Sequence, residues 1–253
     1  MDKPMLGIIT PMEDEFRLLF DGITNPVQYQ YSEILLVSGV LGGMPVVIAK
    51  SGMGKVNAAL AAQIMIDRFN IERLVMLGVG GVLNSELNIG DVVVSQDVLY
   101  HDFDAVGMGF KPAEIPYFGK SIFNADKALI ESALYASTEA LSKLQGKYPA
   151  MLKLNECQPK AVLGRILTGD QFIAGVEKKE QLIASFGGDC VEMEGAAVAH
   201  TAYVNGKQFV IVRALSDECG SDAEIDFYEY LKTIAPHLLF EIAVCMIDRL
   251  RNE

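Results

Sequence analysis

The chain has few of the residues on which metal, disulfide and nucleic-acid chemistry depend. Its 3 histidines and 4 cysteines follow no Cys-x-x-Cys or Cys/His spacing, so neither a zinc site nor a disulfide framework is predicted. The cluster of His101, Asp102 and Asp104 has no second run of ligands, and we predict a polar loop there. The chain contains 21 Lys and Arg against 33 Asp and Glu, a formal net charge of −12, with no basic cluster. A nucleic-acid partner is therefore not expected, because duplex binding depends on basic side chains that neutralise phosphates.

Long apolar runs are also absent. No run approaches the roughly 18 residues that a membrane-spanning helix needs. Pro4 and the acidic residues at positions 13–15 come too early to leave room for the apolar core of a signal peptide. We therefore expect no membrane association and a cytoplasmic location, where the cysteines stay reduced and pack as small buried hydrophobes.

What the chain has in quantity is apolar residues in alternating patterns. They make up 51% of 253 residues, enough to bury one large core, and we expect a single domain over residues 1–253. Short β-rich runs predict strands at residues 5–9, 33–40, 44–49, 73–77, 91–95, 161–168, 190–193 and 208–215. Helical spacing predicts helices from residue 12 onward and over 55–69, 125–144, 177–186, 194–205 and 225–250. This alternation predicts an α/β fold, a three-layer αβα sandwich around a mixed, largely parallel sheet, with ligands beyond the carboxyl ends of the strands.

Two glycine-rich segments invite a nucleotide-binding interpretation that their spacing contradicts. A P-loop ending at Lys55 would need a glycine and a hydroxyl residue where the chain has Ala49 and Val56. A dinucleotide fingerprint beginning at Gly78 would need glycine in place of Leu83. We expect residues 78–81 to form a loop that closes the fourth predicted strand and lets a ligand approach the backbone closely.

Carboxylates follow several of the predicted strands. Glu15 lies in the first turn of the helix after the first strand, and Glu192 and Glu194 lie at a strand-to-helix junction. Asp217 comes just past the tip of the buried strand at 208–215. Carboxylates in such places are costly unless they are used or paired, so these four are candidates for a functional site.

Several short segments of the sequence, taken together in chain order, resemble those of a known protein family. They are GIITPMEDE, SGMGKVNAA, the glycine segment before NIGDVVVS, YHDFD, TGDQFI, VEMEGAA, and RALSD followed ten residues later by Phe227. Together they span nearly the whole chain and resemble the 5′-methylthioadenosine/S-adenosylhomocysteine nucleosidases of the nucleoside phosphorylase superfamily. The resemblance implies the nucleoside phosphorylase type of sandwich and an enzyme without cofactor or metal.

The resemblance also implies a role for each candidate residue. Glu15 is similar to the base that positions and activates water, Glu194 to the residue that holds the ribose hydroxyls, and Asp217 to the acid that protonates purine N7. Ser216 would orient that acid, and Arg213 would support the site from behind.

Further residues would surround the substrate. The aromatic ring of Phe172 would stack on adenine, and the Ile173 backbone would read its Watson–Crick edge. The remaining substrate-binding residues that the resemblance implies are Met12, Met53, Gly80, Glu192, Met193 and Phe227. Phe110 and Pro116 would be offered to the pocket of a neighbouring subunit, and the apolar segment 108–118 leads us to expect a homodimer.

The expected reaction is hydrolysis of the N-glycosidic bond of 5′-methylthioadenosine, S-adenosylhomocysteine and 5′-deoxyadenosine. It needs an acid at the leaving base and an activated nucleophile below the sugar. We expect burial to keep Asp217 protonated and Glu15 to stay ionised in a wetter position. The acidic residues at 13–15 would repel phosphate, which favours water as nucleophile over the alternative of a purine nucleoside or methylthioadenosine phosphorylase. A non-catalytic nucleoside-binding or storage protein is the other alternative.

The chain departs from the family in two places. The family often carries Ser or Val followed by Ala-Gly-Gly in its glycine segment, whereas this chain reads Gly78, Val79, Gly80, Gly81 and Val82, a difference that bears on the contacts of this loop on the water side. The segment 146–160 is longer than usual, and we expect it to alter a surface loop near the entrance of the site.

Overall fold

The computed structural model describes residues 5–147 and 158–252. The strands are β1 (Leu6–Thr10), β2 (Thr24–Tyr31), β3 (Ile34–Leu41), β4 (Met44–Lys50), β5 (Arg73–Val82), β6 (Val92–Tyr100), β7 (Phe123–Asn124), β8 (Ala161–Thr168), β9 (Cys190–Glu192) and β10 (Gln208–Asp217). The helices are α1 (Glu13–Asp21), α2 (Lys55–Phe69), α3 (Lys127–Lys147), α4 (Val176–Phe186), α5 (Gly195–Val204), α6 (Ala223–Thr233) and α7 (Ala235–Arg251). A short 3-10 turn covers Val106–Met108. The predicted mixed α/β fold is confirmed, and α2 and β8 begin and end where the sequence predicted.

One mixed sheet joins these strands, and part of it closes on itself. Strands β10, β6, β8, β9 and β5 pair in that order, and β5 also pairs with β10, so the five form a ring. From β5 the sheet continues through β1, β4 and β3 to the edge strand β2. Strand β1 runs parallel to both β4 and β5, and β5 runs parallel to β10. The carboxyl ends of β1, β5 and β10 therefore meet at one edge, where ligands bind in sheets of this kind.

Helices cover the sheet from two sides. Helix α7 packs against α1, α3 and α6 on one side, and α2 packs against α5 on the other. Strands β5 and β10 lie between these layers and are buried along almost their whole length, which explains their continuous apolar sequences. Helix α5 is rich in buried Gly and Ala, and these small side chains let it lie close to the sheet.

Three parts of the chain differ from the sequence prediction. Strand β2 was not predicted, although Val27, Tyr29 and Tyr31 alternate with polar residues, because this alternation is short and follows Pro26 on a mostly exposed edge strand. Residues 78–81, predicted as a loop, belong to β5, where pairing with β10 and β9 extends the strand through its glycines. The single helix predicted over 225–250 is two helices that break at Ile234, because Pro236 lacks an N–H and cannot sit inside a continuous helix.

One predicted feature falls outside the described residues. Most of the segment 146–160, predicted to alter a surface loop, lies outside the described residues, as does Cys157. Within residues 5–147 and 158–252 no single helix is long and apolar enough to cross a membrane, and α6 with α7 reaches that length only jointly, across a 52° bend.

Candidate active site

A cavity of about 360 Å³ opens where the carboxyl ends of β1, β5 and β10 meet the start of α5. Most of the residues that the sequence singled out line this cavity: Met12, Met53, Gly80, Phe172, Ile173, Glu192, Met193, Glu194, Ser216, Asp217 and Phe227. The fold thus gathers segments that are more than 200 residues apart in the chain around one space.

Four other predicted residues do not line the cavity. Glu15 and Arg213 are completely buried behind its wall. Phe110 and Pro116 are partly buried in the segment between β6 and β7, where the ring of Phe110 packs against that of Tyr117 at 5.8 Å between centroids.

The cavity also has lining residues that the sequence reasoning missed: Pro11, Val79, Gly81, Gln171, Val191, Cys219, Glu224 and Tyr228. Several of these lie inside the recognised segments. Glu224 and Tyr228 do not, but they lie three residues before and one after Phe227 on α6. Helical spacing around Phe227 was the signal that could have found them.

Glu15 occupies the third position of α1, and its carboxyl group turns inward between two strands. Its Oε2 accepts a hydrogen bond from the N–H of Met12 at 2.9 Å, and its Oε1 accepts one from the N–H of Val79 at 3.0 Å. Burial raises the pKa of Glu15 to about 8, although Arg213 and these two N–H groups act in the opposite direction. The expectation of a wetter, ionised Glu15 was wrong, because the bond back to Met12 at the start of α1 draws the carboxyl group under β5.

Arg213 lies in β10 among three acidic side chains. Its guanidinium forms an ion pair with Glu192 and lies 3.4 Å from Oε2 of Glu194, and Glu15 is its next charged neighbour. One cation cannot balance three buried carboxylates, so protons must be retained among them near neutral pH.

Glu192 is held on every side. Beyond Arg213, it accepts hydrogen bonds from the N–H groups of Glu194 at 3.0 Å and Gly195 at 2.7 Å, where α5 begins. The hydroxyl of Thr168 donates to its other oxygen. Glu192 therefore anchors Arg213 and the start of α5, and has little capacity left for a ligand.

Glu194 combines a bound oxygen with a place on the cavity wall. Its Oε1 accepts a hydrogen bond from the N–H of Gly54 at 2.7 Å, which ties the SGMGK segment to the site. Burial raises the pKa of Glu194, and the nearby Glu192 acts in the same direction.

Asp217, the last residue of β10, also lies on the cavity wall. Its Oδ2 accepts a hydrogen bond from the Ser216 hydroxyl at 2.8 Å, and its Oδ1 accepts one from the N–H of Cys219 at 3.0 Å. Burial raises the pKa of Asp217 above its ordinary value, while the donors from Ser216 and Cys219 lower it. This is the direction that a proton donor near neutral pH requires.

The loop after β8 carries the aromatic part of the wall. Phe172 is 46% exposed, and its ring meets that of Phe227 edge-on at 5.6 Å. Asp170 fixes this loop by accepting the N–H of Lys55 at 2.8 Å. Across the described ranges no group of three or more His, Cys, Asp or Glu side chains is placed to hold a metal ion, and Asp102 instead pairs with Lys55 at 2.6 Å.

The Gly80 departure from the family has a packing explanation. A methyl group at position 80 would lie 2.6 Å from Sγ of Cys190 and 3.0 Å from the carbonyl oxygen of Val191. The sulfur of Cys190 therefore fills the space that an alanine would take, and the cavity wall keeps its shape.

Comparison with known proteins places this arrangement in a family. The model of the phosphorylase superfamily matches residues 5–239. A 5′-methylthioadenosine/S-adenosylhomocysteine nucleosidase from Staphylococcus aureus is 34% identical over 232 residues, which cover 91% of this chain and 94% of that protein.

Solved structures agree over almost the whole chain. The nucleosidase from Colwellia psychrerythraea 34H, in complex with adenine, superposes with a TM-score of 0.86 and is 35% identical, covering 98% of this chain and 96% of that one. The enzyme from Neisseria meningitidis, in complex with methylthio-immucillin-A, has a TM-score of 0.84 and 30% identity, covering 97% and 99%. The chain belongs to the phosphorylase superfamily and, within it, to the 5′-methylthioadenosine/S-adenosylhomocysteine nucleosidases.

Proposed function

We propose that this protein hydrolyses the N-glycosidic bond of 5′-methylthioadenosine and S-adenosylhomocysteine, and also of 5′-deoxyadenosine, releasing adenine and the 5-substituted ribose. The observation that carries the proposal is the pair of buried carboxyl groups, Asp217 on the cavity wall and Glu15 directly behind it. The relatives named for this activity support the choice of substrate.

Both carboxyl groups contact the same part of β5. Glu15 accepts the N–H of Val79, and Oδ1 of Asp217 lies 3.0 Å from the point where a side chain at Gly81 would begin. Val79 and Gly81 both line the cavity and are two residues apart, which is about 7 Å along a strand. An acid and a base that act on one substrate need such neighbouring positions.

In the proposed reaction Asp217 delivers its proton to N7 of adenine as the bond to ribose breaks. Phe172 stacks on the purine and the Ile173 backbone binds its edge, while Glu194 holds the ribose hydroxyls. Protonation of the leaving base accounts for roughly 10² to 10⁴ in rate, and positioning and electrostatics supply the rest.

In its ionised form, whose share increases as the pH rises toward 8, Glu15 removes the proton from the attacking water on the opposite face of the ribose. A base with a pKa of about 8 binds that proton more strongly than an ordinary carboxylate, and Arg213 stabilises its charged form. The side chains of Met12, Met53, Met193, Phe227 and Tyr228 give the 5′ side a soft, apolar wall that suits a thioether.

Water rather than phosphate is the proposed nucleophile because the cavity offers no cation. Among the described residues that line it there is no Lys, Arg or His, and Arg213 behind the wall is already paired. Lys50, at the end of β4, is paired with Glu13 at 2.5 Å.

The test is a product analysis with and without phosphate. Methylthioadenosine should release adenine at the same rate in phosphate-free buffer and in phosphate, with free 5-methylthioribose as the sugar product. Dependence on phosphate, or a ribose 1-phosphate product, would show a phosphorylase. Tight binding of adenine nucleosides without turnover would show a binding or storage protein.

The proposal includes a cytoplasmic homodimer whose subunits meet beside the cavity. The segment between β6 and β7, which carries Phe110 and Pro116, exposes large apolar side chains. Met108 is 66% exposed and Tyr117 is 93% exposed, which is unusual on the surface of a monomer.

A further inference from the structure

The loop that follows Asp217 holds a side chain in a strained backbone conformation. Cys219 has φ 56°, a left-handed value that residues other than glycine rarely adopt. This conformation points the N–H of Cys219 at Oδ1 of Asp217. Strain of this kind persists only where surrounding contacts impose it, and it is concentrated at functional sites.

A contact from outside the cavity fixes this loop. Lys179 of α4 donates from Nζ to the carbonyl oxygen of Glu218 at 2.8 Å, on the residue between Asp217 and Cys219. The loop is thus bound on one side by α4 and on the other by the Asp217 carboxyl group.

The Cys219 side chain also faces Asp217. It is 1% exposed and lines the cavity. A methyl group at Gly81 would lie 2.3 Å from Sγ of Cys219 and 3.0 Å from Oδ1 of Asp217, so the sulfur and this oxygen share the space above β5. The thiol thus lies beside the carboxyl group, and it lowers the pKa of Asp217. Burial raises the pKa of Cys219 far above its ordinary value, so the thiol keeps its hydrogen and acts as a donor.

We propose that Cys219 is a positioning residue that fixes which oxygen of Asp217 carries the transferable proton. Its N–H donates to Oδ1, and we assign its S–H to the same oxygen because Sγ lies beside it, whereas Oδ2 accepts a single hydrogen bond from Ser216. An oxygen that accepts two donors is the carbonyl-like one of a protonated carboxyl group. The proton is thereby confined to Oδ2, and Lys179 holds the loop in the conformation that this requires. The inference rests on the proposed role of Asp217 as the acid.

Other ionisable groups face this pair and must stay unchanged in the test. Within the described residues, Asp226 of α6 acts on Asp217, Lys179 of α4 acts on Cys219, and the Cys190 thiol of β9 is in electrostatic contact with both. Substitutions at Cys219 alter none of them.

The experiment measures the pH dependence of adenine binding, because only protonated Asp217 donates to a purine nitrogen. In the wild type the affinity for adenine should fall as pH rises through the pKa of Asp217. Cys219→Ala removes a donor that favours the carboxylate, so the midpoint should move up by about half to one pH unit. Cys219→Ser, whose hydroxyl is also a donor, should return the midpoint to the wild-type value.

Turnover supplies a second readout. With methylthioadenosine, Cys219→Ala should lower kcat about 3- to 10-fold with KM changed less than about 2-fold, because the proton is no longer confined to one oxygen. Cys219→Gly, which relieves the backbone strain, should behave like Cys219→Ala and provides a variant that folds without difficulty. Lys179→Met should lower kcat in the same direction, and Lys178→Met, one residue away on α4, should not.

The outcomes separate the two proposals. If adenine binding does not depend on pH, or if Asp217→Asn retains the same dependence, the proposed role of Asp217 is wrong. If Asp217→Asn abolishes it and Cys219→Ala keeps the wild-type midpoint, the inference about Cys219 alone is overturned. A midpoint shift that serine does not reverse would also overturn it.

Discussion

Glu15→Gln should remove a large part of the pH dependence of the protein's stability. The buried carboxyl group has a pKa of about 8 in the folded protein against an ordinary value of 4.5, so the folded chain keeps a proton that the unfolded chain loses between these values. Stability contributed by this group is therefore present below pH 4.5 and is lost as pH rises toward 8. At about 1.4 kcal/mol for each pH unit, the loss by pH 9 has an upper value of about 5 kcal/mol.

Glutamine resembles the protonated form of Glu15 in shape and carries no charge at any pH. At pH 5 the variant should be about 1 to 3 kcal/mol less stable than the wild type, because its amide nitrogen cannot accept one of the two N–H groups that Glu15 binds. Between pH 5 and pH 9 the stability of the variant relative to the wild type should rise by several kcal/mol, although it has lost its catalytic base. Urea unfolding at pH 5, 7 and 9 measures both quantities.

A matched control is available in the same helical turn. Glu13→Gln removes the same charge from an exposed side chain, and it should change the free energy of unfolding by no more than about 0.5 kcal/mol across this range. Parallel stability profiles for the wild type and Glu15→Gln would refute the reasoning, since they would mean that Glu15 is ionised in the folded protein near neutral pH.

Three further predictions follow from the site and its surroundings. Asp217→Asn should lower kcat for methylthioadenosine by roughly 10² to 10⁴ while inhibitor binding survives. A substrate whose leaving group needs no proton should restore turnover in Asp217→Asn, but not in Glu15→Gln, which cannot activate water. Gly80→Ala should destabilise the fold by about 1 to 3 kcal/mol through its contact with Cys190, and Cys190→Ala should recover part of that loss in a thermal unfolding cycle. Sedimentation at micromolar concentration should show a dimer, and a fully active monomer would contradict the proposed interface.

The sequence predicted the elements of this fold better than their long-range contacts. Strand β8 and helix α2 were predicted at both ends because their periodicity is local. Strand β2 was missed because its alternation of Val27, Tyr29 and Tyr31 with polar residues is short and follows Pro26. The pairing that closes the ring through β5 and β10 joins residues far apart in the chain, and no local pattern encodes it.

In the candidate site, too, features with a local signal in the sequence were predicted, and features that depend on long-range contacts were not. Glu15, Glu194 and Asp217 were found because carboxyl groups at strand ends stand out against an apolar sequence. The environment of Glu15 was not predicted, because its burial depends on the backbone of Val79 from another strand. Cys219 and Lys179 act through one loop whose geometry exists only in the folded chain.

The closed ring of strands has a mechanical consequence. Arg213 lies where β10 is paired with β5 on one side and with β6 on the other, and Val79 and Asp217 are paired within the same ring. The amide hydrogens of this ring should exchange with solvent only on global unfolding, whereas those of residues 170–175, which border the cavity from a loop, should exchange through local opening. Substrate entry and release can thus proceed by loop motion against a frame that does not deform. Substitutions in the loops should accordingly alter which 5′ group is accepted without disturbing the proton transfers.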